Sequence, residues 1–460
     1  MTGLWMVQTA AERLAAAREG LDVPLLSRLM GLVGIASMVG LAWLLSTNRR
    51  RVNWRLVGMG VALQAVVGVI VLKTAVGRAL FQGANTMFTG LLGFTEQGAR
   101  FIFGNLVKNN VPVGVPAGAP PDMAPVGEPQ MWAATGSYFA FSVLPTIIFF
   151  SSLMSVLYYL GVMQWIVRGI AWGMQRSMKT SGAETLSAAG NIFVGQTEAP
   201  LLIKPFVGQM TYSELNTVMV GGFATIAGGV MAAYVGMLTP YFPDIAGHLL
   251  TASVMNAPAG LVISKMLVPE TEEPVTRGTL KLQIERREAN VIDAAASGAA
   301  QGLQLALTVG GMLLAFIALI ALLNAGVGAI GGALGRPDLS LEQVLGWALA
   351  IPAWLMGVPW ADAPTVGSLI GVKTVVNEFV AYLNLAELLG TGAALSPRGA
   401  IISTYALLGF ANFSSIAIQI GGIGGLAPER RADLSRLGLR AMIGGNLAAF
   451  MSASLAGMLM

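Results

Sequence analysis

Gly195-Gln196-Thr197-Glu198-Ala199-Pro200-Leu201 stands inside one apolar stretch, residues 185–207, and Asn377-Glu378 stands inside another, residues 345–388. Each stretch has apolar arms around a polar tip. The first holds Asn191, Gln196, Thr197, Glu198 and Lys204; the second holds Asp362, Lys373, Asn377, Glu378 and Glu387. A carboxylate is expensive in lipid, so such residues face a protein cavity and mark a pathway. A helical hairpin that dips into a membrane and returns to the same side reconciles the arms with the tip. Non-helical backbone survives at that depth where it is buried in protein or lines an aqueous cavity. The fold expected from these two stretches is therefore an all-α membrane protein.

Composition agrees. Of the 460 residues, 55% are hydrophobic and only 11% charged, against about 25% charged in ordinary soluble domains. This excludes a soluble enzyme, a disordered chain and a nucleic-acid binder. The net charge of +4 is the loop charge of a membrane protein. With no cysteine, disulfides, iron–sulfur clusters and thiolate chemistry are ruled out. The single histidine, His248, leaves no histidine triad or histidine metal site and reads as non-catalytic. The first residues, polar and alanine-rich around Arg13 and Arg18, lack the apolar core of a secretory signal and read as an amphipathic or frayed start.

A crossing helix needs about 20 mostly apolar residues. Eight crossings are expected, at residues 29–46, 56–72, 138–160, 215–238, 248–267, 303–330, 401–423 and 441–459. Residues 73–106, broken by Lys73, Arg78, Glu96 and Arg100, read as interfacial or partly re-entrant helix, and residues 108–130 as a loop. If neither hairpin crosses, most basic residues fall on one side, among them Arg49, Arg50, Arg51, Arg55, Arg168, Arg176, Lys179, Arg430, Arg431, Arg436 and Arg440. That side is cytoplasmic by the positive-inside rule, and both termini face outward.

The second half echoes the first. Hairpin one precedes a span interrupted at Thr225-Ile226-Ala227-Gly228-Gly229; hairpin two precedes one interrupted at Gly409-Phe410-Ala411-Asn412-Phe413-Ser414-Ser415. An ordinary span follows each. The two re-entrant hairpins are then oppositely oriented, an inverted repeat that places a binding site near the midplane. Glycine breaks also allow close helix packing, but here all four breaks carry polar groups in matched order. Lys204 lies six residues from Glu198 and Lys373 five from Glu378. Neither spacing suits a same-face helical ion pair.

A carboxylate with amides and hydroxyls suits a neutral, polyhydroxylated ligand bearing a hydrogen-bonding ring. Neither hairpin contains an arginine, so an anion fits poorly. Asn191 and Thr225, with carbonyls freed at the breaks, would offer hard oxygen ligands to a small cation.

These motifs, in this order, closely resemble the concentrative nucleoside transporter family. Residues 269–270, 290–300 and 357–373 also resemble it, so the likeness runs from about residue 138 to residue 459. The resemblance implies a homotrimeric, elevator-type transporter. It implies that Gln196, Thr197 and Glu198 face the nucleobase, that Val230 packs on it, that Glu378, Asn412 and Ser415 hold the ribose, and that Phe410 lines the site. It also implies a sodium ion on Asn191, Thr225 and the carbonyls of Val194 and Ile226. Residues 1–137 would be an N-terminal, mostly scaffold region and 138–160 a scaffold span. Residues 161–267 would form the first transport repeat, 268–335 a connector with a scaffold span, and 336–460 the second transport repeat. The function implied is a sodium-coupled symporter importing nucleosides such as uridine and adenosine across a bacterial inner membrane. It would not be an enzyme, and sodium would be its coupling ion rather than a cofactor. A proton-coupled symporter and a cation channel built on re-entrant loops stay as alternatives. An intramembrane hydrolase would need an activated nucleophile, for which Ser414 and Ser415 are candidates by type alone.

Overall fold

The computed structural model describes residues 24–108, 110–113, 131–134, 139–277, 288–336, 338–391 and 395–460. The N-terminal stretch around Arg13 and Arg18, and Lys281, Arg286 and Arg287 of the connector, lie outside the described residues. The described chain opens with α1 (Leu25–Leu44), α2 (Trp54–Lys73) and α3 (Ala75–Phe103). After a short strand pair come α4 (Phe139–Ser142), α5 (Leu144–Tyr159) and α6 (Val162–Met178). The first repeat continues with α7 (Gly182–Gly190), a 3-10 segment (Ala199–Gln209), α8 (Tyr212–Ala224), α9 (Gly228–Leu238) and α10 (Ile245–Leu267). The second half holds α11 (Val291–Ala333), α12 (Leu341–Leu355), α13 (Ala363–Val375), α14 (Glu378–Gly390), α15 (Pro397–Leu407), α16 (Phe413–Leu426) and α17 (Arg431–Leu459).

Among the described residues, 7 helical segments are long and apolar enough to cross a membrane, and each coincides with an expected crossing. The eighth, 401–423, is α15 followed by α16; neither half is long enough alone. Three long segments form the interior: those containing α8–α9, α10 and α17 are 83–89% buried, whereas the one in α11 is 11% buried. The outer helices turn their leucines outward, as Leu303, Leu314 and Leu322 of α11 do.

Several expectations need correction. For residues 73–106 the re-entrant alternative falls and the interfacial one stays open: they contain one continuous 29-residue helix, α3, with no reversal. Thr74 accepts a hydrogen bond from Gly77 N and starts it afresh after α2. The loop expected at 108–130 contains a strand, Asn110–Val113, paired antiparallel with Met131–Ala134, with Asn110 opposite Ala134; the stretch between these strands is outside the described residues. The second polar stretch is not one hairpin over 345–388. Residues 341–355 form a separate helix, α12, and the pair around the Asn377 tip is α13 with α14. The crossing expected at 303–330 belongs to a 43-residue helix, about 65 Å long at 1.5 Å per residue. Asn290 caps it by accepting from Asp293 N at 2.9 Å.

With α6 and α12 recognised, each half reads as a span, a short helix, a helix pair, a broken span and a span. The two lead spans, α5 and α11, pack closely. Cβ atoms at Gly298 and Gly302 would meet Ser155, Ser152, Ser151 and Ile148 at 2.6–2.8 Å, and Ser152 Oγ donates to Ala295 O at 2.9 Å. The helices α1 and α2 are fastened elsewhere. Gln64 Nε2 donates to Ser452 Oγ of α17 at 2.7 Å, Thr47 N to Leu267 O at 2.9 Å, and Arg398 Nη2 of α15 to Ser27 O at 2.9 Å.

The base of the first repeat is ionic. Ser181 with Glu184, and Thr211 with Glu214, form capping boxes that satisfy the first backbone donors of α7 and α8. Lys265 of α10 reaches Glu184 at 2.7 Å and Glu270 at 2.9 Å. Ser181 Oγ donates to Glu214 Oε1.

Candidate functional site

Both broken spans break where the sequence turns polar. After Ala224 the chain is extended at Thr225 and Ala227, and α9 restarts at Gly228. Side chains of α10 and the adjacent turn take up the freed backbone groups. Asn256 Nδ2 donates to Ala224 O at 2.6 Å, Ser253 Oγ to Ile192 O at 2.9 Å, and Gly228 N to Phe193 O at 2.9 Å.

The second break is served in the same way. Lys373 Nζ donates to Ala406 O at 2.9 Å and Leu408 O at 3.3 Å, and Asn446 Nδ2 to Ala411 O at 3.0 Å. Gly409 has φ +112°, a conformation that favours glycine. A Cβ there would sit 2.9 Å from the backbone carbonyl of Ala224. Glycine at this position therefore lets the two breaks touch.

Glu378, 5% exposed, is the first residue of α14, behind its cap Asn377, whose Oδ1 accepts from Val380 N at 2.9 Å. Both carboxylate oxygens are engaged. Tyr234 Oη donates to Oε1 at 3.0 Å and Asn412 Nδ2 to Oε2 at 2.9 Å. Asn412 also caps α16, accepting from Ser415 N at 2.9 Å. Two helix N-termini thus lie beside one carboxylate, an arrangement that stabilises negative charge. On the opposing tip, Gln196 Nε2 donates to Ser415 Oγ at 3.3 Å, and Gln419 Nε2 donates to Gln196 Oε1 at 3.0 Å. Val230 is buried one helical turn before Tyr234, and Phe410 is half-buried in the second break.

The structure thus joins Gln196 to Ser415 and Glu378 to Asn412. It does not bury Glu198. That residue is exposed, and its carboxylate folds back over its own turn, where a Cβ on Gly195 would collide with it. Thr197 packs on α16, its Cγ2 lying 2.8 Å from where a Gly422 Cβ would be. Lys204 is exposed and Lys373 serves the backbone of the second break.

Beside the first break, Asn191 is 1% exposed, and neither Oδ1 nor Nδ2 has a hydrogen-bond partner among the described residues. Its Nδ2 lies 3.3 Å from the Cβ position of Gly221, whose carbonyl accepts from Thr225 Oγ1 at 2.9 Å. Thr225 spends its hydrogen there and keeps oxygen lone pairs. A buried amide oxygen without a donor and a hydroxyl oxygen stand beside the first break, and Val194 and Ile226 lie in non-helical backbone; oxygens of these kinds suit a small cation.

Reading the sequence missed Tyr234, Gln419 and the backbone role of Lys373. The signal for two of them was present. Tyr234 stands four residues after Val230, and Gln419 four after Ser415, hence on the same helix faces. His248 sits against the rings of Phe81 and Phe242, with Tyr405 Oη at 3.2 Å from Nδ1.

Three family models match the chain: Na+ dependent nucleoside transporter N-terminus over residues 33–106, nucleoside recognition over 140–241, and Na+ dependent nucleoside transporter C-terminus over 248–457. An uncharacterized transporter of Bacillus subtilis is 44% identical over 94% of this chain and 99% of its own length. Sodium/nucleoside cotransporter 1 of Mus musculus is 40% identical over 94% of this chain, which spans 64% of that protein. Among solved structures, CNTnw in an inward-facing substrate-bound state is 44% identical with a TM-score of 0.83, covering 94% of this chain and 98% of that one. An outward-facing variant of CNTnw gives a TM-score of 0.85 at 44% identity, over 95% of this chain and 98% of that one. The relatives named for an activity transport nucleosides and are not enzymes, and this chain belongs to the same family, the Na+-dependent, concentrative nucleoside transporters.

Proposed function

We propose that the protein is a sodium-coupled nucleoside symporter of a bacterial inner membrane, working as a homotrimer with both termini on the periplasmic face. The observation that carries this reading is Glu378, buried between two helix N-termini with Tyr234 and Asn412 on its oxygens and the Gln196–Ser415 pair on the facing tip. An acidic acceptor beside an amide and a hydroxyl matches a ribose diol at one end of a ligand and a polar ring at the other. In this reading Glu378, Asn412 and Ser415 hold the ribose. Gln196 and Thr197 face the base, Val230 and Phe410 pack on it, and Glu198 swings in from its exposed position when substrate arrives. Sodium binds as a co-substrate at Asn191, Thr225 and the carbonyls of Val194 and Ile226.

The pair formed by α7 and the 3-10 segment, and the pair α13–α14, act as re-entrant hairpins of opposite orientation. Together with the broken spans, α10 and α17 they form a transport unit that moves against a scaffold containing α5 and α11. The hydrogen bonds from Gln64, Thr47 and Arg398 support placing α1 and α2 with the moving unit, rather than in the scaffold where the first two spans were expected. Coupling follows when ion and substrate both stabilise the closed unit that moves. The test is uptake of labelled uridine and adenosine by proteoliposomes. Saturable uptake driven by an inward sodium gradient is expected; uptake driven by a proton gradient alone and indifferent to sodium would overturn the coupling ion.

A further inference from the structure

The amides beside Ser415 form a chain whose polarity is fixed at one end. Gln419 is fully buried, and its amide touches two oxygens, Met219 O at 3.2 Å and Gln196 Oε1 at 3.0 Å. A backbone carbonyl can only accept. The Gln419 atom facing it is therefore the NH2, whose two hydrogens go to Met219 O and to Gln196. The Gln196 atom facing that NH2 must be its carbonyl oxygen, which leaves its own NH2 on the other side, 3.3 Å from Ser415 Oγ. Ser415 accepts there and keeps its hydroxyl hydrogen.

A second observation supports a purpose beyond packing. Among the described residues Gln419 Oε1 is buried with no hydrogen-bond partner, a state that folded proteins avoid. Close approach is also built in. A Cβ on Gly222 would lie 2.8 Å from Gln419 Nε2 and 2.9 Å from Gln196 Cβ. Glycine at this position lets the two amides meet beneath the hairpin tip.

We propose that Gln419 is a positioning residue for base recognition, on the reading above in which Gln196 meets the nucleobase. The carbonyl of Met219 orients Gln419, Gln419 orients Gln196, and Gln196 orients Ser415. The wall shown to the ligand then consists of one N–H and one O–H, both donors. The ligand class it selects carries hydrogen-bond acceptors, carbonyl oxygens or unprotonated ring nitrogens, on the base edge that meets Gln196. An apolar ring of the same shape on the same ribose would keep every contact to Glu378 and lose this one.

The experiment uses the reconstituted full chain, labelled uridine, and competition by β-ribofuranosylbenzene, in which a benzene ring replaces the nucleobase. The wild-type protein is expected to prefer uridine by at least about tenfold, the loss of a buried hydrogen bond to the site. In Gln419→Met the KM for uridine rises about tenfold while the Ki of the benzene riboside changes less than about twofold, so the preference collapses. Gln196→Met should collapse it equally, and the double variant should add nothing, because the two act as one unit. An unchanged preference in Gln419→Met, or an equal weakening of both ligands, would overturn the relay. So would a wild-type preference near one, which needs no variant. Absence of any uridine uptake by the wild-type protein would sink the transport reading itself.

Discussion

Tyr234 Oη donates to Glu378 Oε1 across 3.0 Å, joining α9 of the first repeat to α14 of the second. The tyrosine is fully buried, with its ring centroid 4.4 Å from that of Tyr382 and 5.2 Å from that of Phe379. Tyr234→Phe keeps this ring packing and removes one donor to a carboxylate. A hydrogen bond to a charged group contributes about 1.5–3 kcal/mol. The KM for ribonucleosides should therefore rise at least about tenfold, as initial uptake rates would record. An unchanged KM would show that the carboxylate is held without the tyrosine.

Glu378→Gln should abolish ribonucleoside uptake while the protein still assembles. Asn412 cannot turn to suit the new amide, because its Oδ1 is committed to Ser415 N at 2.9 Å and its Nδ2 must keep facing Glu378. A glutamine there can accept from Asn412 and turn its NH2 to Tyr234 Oη, which then accepts, but it carries no charge and offers a ribose diol only one acceptor oxygen in place of two. Normal uridine uptake by a well-expressed variant, checked by size-exclusion chromatography, would defeat the ribose assignment.

For the cation, Asn191→Ala and Thr225→Ala should raise the sodium concentration giving half-maximal uptake more than they lower the rate at saturating sodium. Each removes one oxygen from a set of few. The Asn191 change carries a further signature. Its amide is buried without a partner among the described residues, so in sodium-free buffer Asn191→Ala should melt no lower than the wild-type protein, while stabilisation by sodium should need a higher concentration in the variant than in the wild type. Equal stabilisation of both by sodium would place the ion elsewhere.

Much of this was legible from the sequence, and the boundary of what was legible has physical causes. The polar tips at Gln196 and Glu378 and the breaks at Thr225 and Gly409 were readable, because polar residues and glycines interrupt apolar runs that otherwise have no reason to stop. The separate helix α12 was not, because Leu341–Leu355 is itself apolar and merges with the hairpin that follows. The strand at Asn110–Val113 was hidden because its partner begins at Met131, and pairing of that kind leaves no local period. Glu198 was expected to face a cavity because a carboxylate is costly in lipid; that its side chain would fold back over Gly195 was not legible, because the turn that carries it has irregular backbone.

Lys373 offers a prediction about the break itself. Its ammonium serves Ala406 O and Leu408 O and lies 5.8 Å from the centroid of the Phe450 ring. Lys373→Met fills the same space but leaves two buried carbonyls without a donor, each worth about 1–3 kcal/mol. The melting temperature should fall, and it should fall less in Lys373→Arg, which retains donors. Equal melting of Lys373→Met and the wild-type protein would show that other groups close the break.

Motion can be tested with cysteine pairs, since the chain has no cysteine. A Cβ on Gly229 of α9 would lie 3.3 Å from Ser151 Oγ of α5, so cysteines at the two positions would face each other across the two helices. Oxidation of Ser151→Cys with Gly229→Cys should stop uptake, and reduction should restore it. Gln64→Cys with Ser452→Cys, where the glutamine amide now bridges α2 and α17 at 2.7 Å, should be joined by a short bifunctional thiol reagent that replaces the lost reach of the glutamine, and uptake should stay intact. Full transport with the first pair locked would show a fixed site with local gates. Arrest by the second would return α2 to the scaffold.

The ionic base of the first repeat bears on how the protein is made. Glu184 in α7 and Glu214 in α8 are 1% exposed in the finished fold, and Lys265, which pairs with Glu184, lies in α10. The chain emerges from its N-terminus, so both acids are synthesised before the lysine. During that interval α7 and α8 carry carboxylates with no cation to meet them, and lipid is a poor place to wait. If the three elements enter together, these helices stay at the membrane surface until α10 is complete. Insertion as a block rather than helix by helix has a plain expected sign: a chain truncated before Lys265 should leave α7 and α8 open to protease.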